Sequence, residues 1–230
     1  MQASISEALV TISVIFLPVI LALTGHEIAH AYAAFKFGDD TARCQGRLSL
    51  NPLHHVDPFG TVIFPIVFYI LLNSMVSLPL WFGWAKPIPV DRSKLKGGRY
   101  ALALVALAGP LANFLMALVW AVVLRLISFV MDGKNFWVQV SIAGIQINAV
   151  FLAFNLIPIL PFDGGRFVHA LLPARWADVY SKTESWGAFA VFFIIVIGYL
   201  VGVNVIYFWI APFYEALLWF FHVIFLGRSG

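Results

Sequence analysis

The apolar run over residues 8–35 constrains the fold of this chain more than any other feature. At a rise of about 1.5 Å per residue, a helix over this run is longer than the ~30 Å hydrocarbon core of a bilayer. Glu27 is its only formally charged residue. Because lipid offers the backbone no hydrogen-bonding partner, such a run predicts a membrane-spanning α-helix.

The composition extends this prediction to the whole chain. Of its 230 residues, 62% are hydrophobic and 11% are charged, and the mean hydropathy is +0.93, outside the usual range of soluble domains. We therefore predict an all-α polytopic membrane protein with about four to five spanning helices. Further apolar runs cover residues 59–84, 100–131, 137–160, 186–210 and 213–226.

No long polar block interrupts these runs, so we expect one membrane-embedded domain over residues 1–230. Its core covers about residues 8–168, and its C-terminal helices cover residues 186–227. The net charge of +3 is small, and the basic residues flank apolar runs. This pattern favours contact with membrane lipid and argues against a nucleic-acid partner.

The first run contains a short motif with known chemistry. His26 and His30 are one helical turn apart on one face, so both imidazoles can hold one metal ion, and Glu27 between them can act as a base. The alternative is a pair of helix histidines bonded to neighbouring carbonyls. Ionisable groups inside a span are costly, which favours the metal site.

A catalytic zinc site usually takes three protein ligands, and Asp163 is the best candidate for the third. Pro158 and Pro161 precede it and break the helix, while Gly164 and Gly165 follow it and allow close backbone approach. Taken alone, an ordinary Asp-Gly-Gly turn at a helix end is an equally good interpretation.

In combination, these motifs resemble the site-2 proteases, a family of intramembrane zinc metalloproteases. The matching strings are His-Glu-x-x-His at 26–30 and Asn-x-x-Pro-x-x-Pro-x-Asp-Gly-Gly at 155–165. Gly-Pro-Leu-Ala-Asn at 109–113, in the run between them, also resembles the family. The chain is similar to a small form without PDZ or CBS regulatory domains.

The resemblance implies that His26, His30 and Asp163 hold one Zn²⁺ and that Glu27 is the general base. It also implies that Asn155 binds the substrate backbone or the developing oxyanion, although an interhelical contact would also explain this amide. We interpret Asn113 as an amide that bonds a neighbouring helix beside a packing point at Gly109.

The implied function is that of an intramembrane zinc-dependent endopeptidase. It would hydrolyse peptide bonds within or near the transmembrane segments of membrane-protein or peptide substrates. The alternative is a non-proteolytic membrane protein that binds or transports a metal. A transporter should carry further ionisable residues along its spans, and here Glu27 and Asp163 stand almost alone.

The order of the runs predicts the topology. His26 lies near the far end of its helix, and Asp163 follows a span that begins at Trp137, so the two helices must run in the same direction to share a metal. The run over residues 100–131 crosses the membrane once between these two helices. If residues 59–84 also crossed, the two helices would run in opposite directions, so we predict that residues 59–84 are re-entrant. The basic loops then share one face, which is cytoplasmic by the positive-inside rule, and the active site lies nearer the cytoplasm of a bacterial cell membrane.

Two further predictions concern the polar loop after the first run. Residues 43–50 alternate loosely between polar and apolar, which favours a short β-hairpin or edge strand. His54 and His55 lie beside Asp57, where a second metal site is one interpretation and a solvated pair the better one.

Overall fold

A computed structural model of the protein describes residues 5–63, 86–203 and 205–225. Within these ranges the chain is mostly helical and has no β-strand, which confirms the all-α class. The α-helices are α1 Ile5–Lys36, α2 Thr41–Cys44, α3 Gly98–Ile127, α4 Phe136–Asn155, α5 Asp163–Leu171, α6 Ala174–Ser181, α7 Glu184–Leu200 and α8 Val205–Phe225. A 3₁₀ turn (Pro52–His54) and a π-helical turn (Pro58–Ile63) lie between α2 and the first gap.

Three helices of the described part are long and apolar enough to cross a membrane: Leu9–Lys36 within α1, all of α3 and all of α4. A fourth candidate is the pair formed by α6 and Glu184–Gly198, if these segments, bent by 61°, count as one span. The protein is therefore a polytopic membrane protein, as predicted. Most of the predicted re-entrant segment, residues 64–84, lies outside the described residues.

Small side chains bring α1, α3 and α4 into close contact. Their buried faces are rich in alanine, which lets helix backbones approach one another without a hydrophobic force between them. Bulky side chains such as Phe16, Leu115 and Val119 lie instead on the exposed faces that lipid would cover. The buried alanines are Ala22, Ala31 and Ala34 of α1, Ala101, Ala103, Ala106, Ala117 and Ala121 of α3, and Ala143, Ala149 and Ala153 of α4.

The end of α1, the start of α3 and the end of α5 lie together on one side of the bundle. The Lys96 amide donates to the Phe37 carbonyl at 2.7 Å. Asp39 is fully buried and accepts from the Asp91 amide at 2.7 Å. Arg99 Nη1 donates to the Leu172 carbonyl at 2.6 Å. These bonds tie three segments that are far apart in sequence to one end of the spans.

The β-hairpin predicted near residues 43–50 is wrong, because this stretch begins with the helical turn α2. The turn closes locally: the Gly46 amide donates to the Arg43 carbonyl at 2.9 Å, and the Arg47 amide donates to the Ala42 carbonyl at 2.9 Å. Gly46 has a φ of +68°, the left-handed conformation that ends helices in this way. Backbone groups satisfied within the turn are not available for strand pairing.

The apolar run over residues 186–210 is not one helix, because the chain breaks between α7 and α8. Gly202 has a φ of +74°, and the Val203 amide donates to the Gly198 carbonyl at 2.7 Å, a helix-terminating bond. The last helix consequently begins at Val205 rather than near Phe213. Trp209 of α8 donates from Nε1 to the Ala153 carbonyl of α4 at 2.8 Å, which joins the C-terminal part to the bundle.

Candidate metal centre

Three side chains from two distant parts of the sequence meet in the bundle. Nε2 of His26 lies 3.0 Å from Nε2 of His30. Oδ2 of Asp163 lies 3.0 Å from the first of these nitrogens and 3.1 Å from the second. All three residues are buried, and within the described residues they form the one group of His, Cys, Asp or Glu side chains found close enough to share a metal ion.

The other nitrogen of each imidazole is bonded to α3. Nδ1 of His30 lies 2.7 Å from the carbonyl oxygen of Val105, and Nδ1 of His26 lies 2.6 Å from Oδ1 of Asn113. An oxygen of either kind only accepts, so both Nδ1 atoms carry the hydrogen. Both Nε2 atoms therefore present a lone pair, which is the tautomer that a metal ligand needs.

Two nitrogen lone pairs and a carboxylate oxygen thus face one another at about hydrogen-bond distance, an arrangement that requires a cation. A metal ion takes the ionised form of such a carboxyl, so the three side chains offer the donor atoms of a cation site.

Gly109 of α3 makes the space for the two imidazoles. A Cβ atom built on Gly109 would overlap Nε2 of His30 and the Cε1 and Nε2 atoms of His26. The glycine was predicted as a packing point between helices, and its neighbours are the two histidines themselves. No other residue type leaves room here for both rings.

The backbone before α5 brings Asp163 to the two histidines. Asp163 is the first residue of α5, and a Cβ on Gly164 or Gly165 would collide with backbone atoms of residues 156–160. The two glycines therefore let the start of α5 lie directly on the loop that leaves α4. This contact brings the carboxylate back towards α1, 133 residues earlier in the chain.

The other two predicted site residues are Glu27 and Asn155, on α1 and α4. Glu27 follows His26 on α1 and is half-buried. Asn155 is the last residue of α4, and its Nδ2 donates to the Phe151 carbonyl of the same helix at 3.0 Å. The amide of Asn155 is thus bonded to its own helix rather than to the three donor residues.

Sequence reasoning missed Val105 and Asn148. The Val105 carbonyl carries no signal in the sequence, since any residue has one. Asn148 could have been noticed as a polar residue in an apolar span. It is fully buried, and Oδ1 accepts from Nδ2 of Asn113 at 3.1 Å. Asn113 bonds neighbouring helices as predicted, and one of its partners is the imidazole of His26.

The loop histidines differ from each other. His54 is exposed, with Nδ1 3.0 Å from the Gly46 carbonyl oxygen. His55 is buried, and its Nε2 lies 2.8 Å from the Ser49 carbonyl oxygen. The prediction of a solvated pair is wrong for His55, because the 3₁₀ turn that ends at His54 directs the two consecutive side chains to different environments.

The chain is similar to proteins with assigned names. "Putative zinc metalloprotease YwhC" of Bacillus subtilis is 40% identical over 184 residues, which cover 76% of each chain. "Putative zinc metalloprotease Rip2" of Mycolicibacterium smegmatis is 28% identical over 205 residues, covering 88% of this chain and 70% of the relative. "Zinc metalloprotease MJ0392" of Methanocaldococcus jannaschii matches over a shorter part, 30% identical over 77 residues, covering 34% of this chain and 22% of the relative. No family model and no solved structure gives a significant match.

Proposed function

The chain belongs to the site-2 protease family, and from this premise we propose that it is a zinc-dependent endopeptidase of the membrane. It hydrolyses peptide bonds within or near the transmembrane segments of membrane-protein substrates. The observation that carries the proposal is the meeting of His26, His30 and Asp163 at 3.0–3.1 Å, with a lone pair on each histidine Nε2.

The three donors would hold one Zn²⁺. Atoms bound tetrahedrally to one zinc at about 2.0–2.1 Å are roughly 3.4 Å apart, so small side-chain movements adapt the observed spacing. Two imidazoles and one carboxylate are also a donor set that zinc takes in hydrolytic enzymes, with a further position left for water or substrate. When bound, zinc supplies a Lewis acid that makes water a stronger nucleophile at neutral pH.

Glu27 is the general base. Its carboxylate takes the proton of the attacking water and then gives it to the amine of the leaving peptide. It follows the buried His26 on α1 and is itself half-buried, so it adjoins the proposed ligand set in the chain and is partly open to solvent.

Asn155 is proposed to bind the substrate. The loop after it leads to Asp163 at the start of α5, so the amide lies where the chain turns to bring the third donor to the site. Its Nδ2 now donates to the Phe151 carbonyl, and it would exchange this bond for one to the substrate backbone or the developing oxyanion.

The substrate is extended where it is cut, because helical carbonyls are occupied by hydrogen bonds within the helix. Residues 86–90 offer an edge for such a strand. Arg47 is buried and donates from Nη2 to the Lys86 and Pro87 carbonyls at 3.2 and 3.3 Å, which fixes the start of the segment. Because Pro87 and Pro89 lack an N–H, the amides for pairing are those of Ile88 and Val90, which face the same edge.

Residues 1–230 form a single protease domain, with the catalytic core over about 8–168 and C-terminal helices over 186–227. The loops at the end of α1 and the start of α3 carry most of the basic residues, and they are bonded together on one side of the bundle. By the positive-inside rule this side is cytoplasmic, in a bacterial cell membrane, and the active site lies nearer to it.

The test is cleavage by purified Glu27→Gln protein. Gln keeps the size of the side chain and removes the base, so zinc content and thermal unfolding should match the wild type while cleavage is lost. Comparing the membrane proteomes of cells with wild-type and Glu27→Gln protein identifies the substrates. Wild-type cleavage by Glu27→Gln would refute the assigned role, and a wild-type protein that binds zinc but cleaves no membrane protein would favour metal binding or transport.

A further inference from the structure

A chain of buried amides leads from α4 to the metal centre. Asn113 and Asn148 are both fully buried, in helices whose neighbouring side chains are almost all apolar. Nδ2 of Asn148 donates to the Gly144 carbonyl at 2.8 Å, and Oδ1 of Asn148 accepts from Nδ2 of Asn113 at 3.1 Å. Oδ1 of Asn113 then lies 2.6 Å from Nδ1 of His26.

The direction of every bond in this chain is fixed from its far end. The Gly144 carbonyl only accepts, so Asn148 must turn its amide nitrogen towards it and its oxygen towards Asn113. That oxygen requires the amide nitrogen of Asn113, which is also 3.4 Å from the Ala22 carbonyl. The oxygen of Asn113 is thereby turned to His26 and can bond only an Nδ1 that carries hydrogen.

We propose that Asn148 and Asn113 are positioning residues that select the tautomer of His26. The inference rests on the proposed zinc site. Without the fixed orientation, the Asn113 amide could turn its nitrogen to His26 and favour the opposite tautomer. Hydrogen would then lie on Nε2, the atom that faces His30 and Asp163, and His26 would lose its lone pair for the metal. His30 needs no such relay, because it bonds the Val105 carbonyl directly.

The experiment measures zinc affinity in full-length protein, by competition with a chelator and elemental analysis. Asn113→Leu removes the acceptor for His26 and should weaken zinc binding by about 10-fold to 100-fold, as loss of such partners typically does. Asn148→Leu leaves the acceptor and removes the shorter of the two bonds that orient it, the other being the 3.4 Å contact to the Ala22 carbonyl, so a smaller loss is expected. Ser141→Ala, which removes a buried hydroxyl bonded to the Trp137 carbonyl within α4, is the control and should keep wild-type affinity.

The decisive variant combines Asn148→Leu with Asn113→Asp. A carboxylate presents an oxygen to His26 whichever way it turns, so the double variant should recover the affinity that Asn148→Leu loses. A merely structural role for Asn148 predicts no recovery, and that result would overturn the proposal, as would wild-type affinity in Asn148→Leu. If Asn113→Leu fails to fold, the comparison of Asn148→Leu with the double variant still tests the proposal. Because zinc affinity is measured without substrate, a failure of the protease proposal is seen separately, in the cleavage assay.

Discussion

Gly109 lies so close to His30 that a Cβ atom on the glycine would overlap Nε2 of the imidazole. The two residues come from α3 and α1, so helix packing and the proposed metal binding depend on the same missing side chain. A glycine inside a helix costs about 1 kcal/mol relative to alanine, and here that cost leaves room for the two imidazole rings of the proposed metal site.

Gly109→Ala should therefore lower zinc affinity at least about 10-fold and destabilise the protein by about 1–3 kcal/mol, the usual cost of overpacking. Gly25→Ala, at the same interface between α1 and α3, is the matched control. Its new methyl group meets only the flexible end of Met116, at 2.8 Å from Sδ, which can move aside. The measurements are the zinc content and the thermal unfolding of the two variants. Equal values for Gly109→Ala and Gly25→Ala would refute the role given to Gly109.

Asp163→Ala should lower zinc content, because two protein ligands remain where catalytic sites usually have three. The exposed Asp178 on α6 provides a control of the same chemistry, and Asp178→Ala should bind zinc like the wild type. Elemental analysis of purified, folded protein is the measurement. Full zinc occupancy in Asp163→Ala would remove this carboxylate from the proposed ligand set.

Single cysteines should map the sides of the membrane. In a Cys44→Ser background, Gln45→Cys and Arg92→Cys should react with an impermeant reagent from the cytoplasmic side, and Lys134→Cys from the opposite side. All three positions are exposed. Gly46 and Gly97 are avoided because their φ values of +68° and +104° would strain a cysteine. Labelling of Gln45→Cys and Arg92→Cys from opposite sides would contradict the re-entrant topology of residues 59–84.

Ile88→Pro should reduce cleavage of a transmembrane substrate. Proline fits the extended backbone between Pro87 and Pro89 but removes the Ile88 N–H, and one lost hydrogen bond of about 1–1.4 kcal/mol lowers kcat/KM roughly fivefold to tenfold. Ile88→Ala keeps the N–H and serves as the control for the lost side chain. If Ile88→Pro cleaves as fast as Ile88→Ala, the substrate does not pair through this amide.

The parts of the site that could be predicted are those that depend only on residues close together in the sequence. His26 and His30 share a helix face whatever the fold is, and the prolines and glycines around Asp163 mark a break in the helix. Asn148 could not be assigned a role, because its contact with Asn113 depends on how α3 and α4 are rotated against each other. That rotation is set by packing over their whole length.

Two departures from the expected secondary structure have a common cause. Alternation over residues 43–50 favours a strand only if no closer partner exists, and the turn at Gly46 provides partners within the same few residues. The apolar run over residues 186–210 has the length of a span, but its hydrophobicity cannot reveal that the chain turns at Gly202. In both places, local backbone hydrogen bonds determine the structure, and the hydrophobic pattern of the sequence does not.

The separation of 133 positions between His30 and Asp163 has a consequence for biosynthesis. A nascent chain that has inserted α1 carries both histidines but lacks the carboxylate, which leaves the ribosome only after α3 and α4 have been made. An incomplete chain therefore cannot assemble the donor set. The proposed protease activity therefore needs the closed bundle, and the order of synthesis withholds it from an unfinished chain.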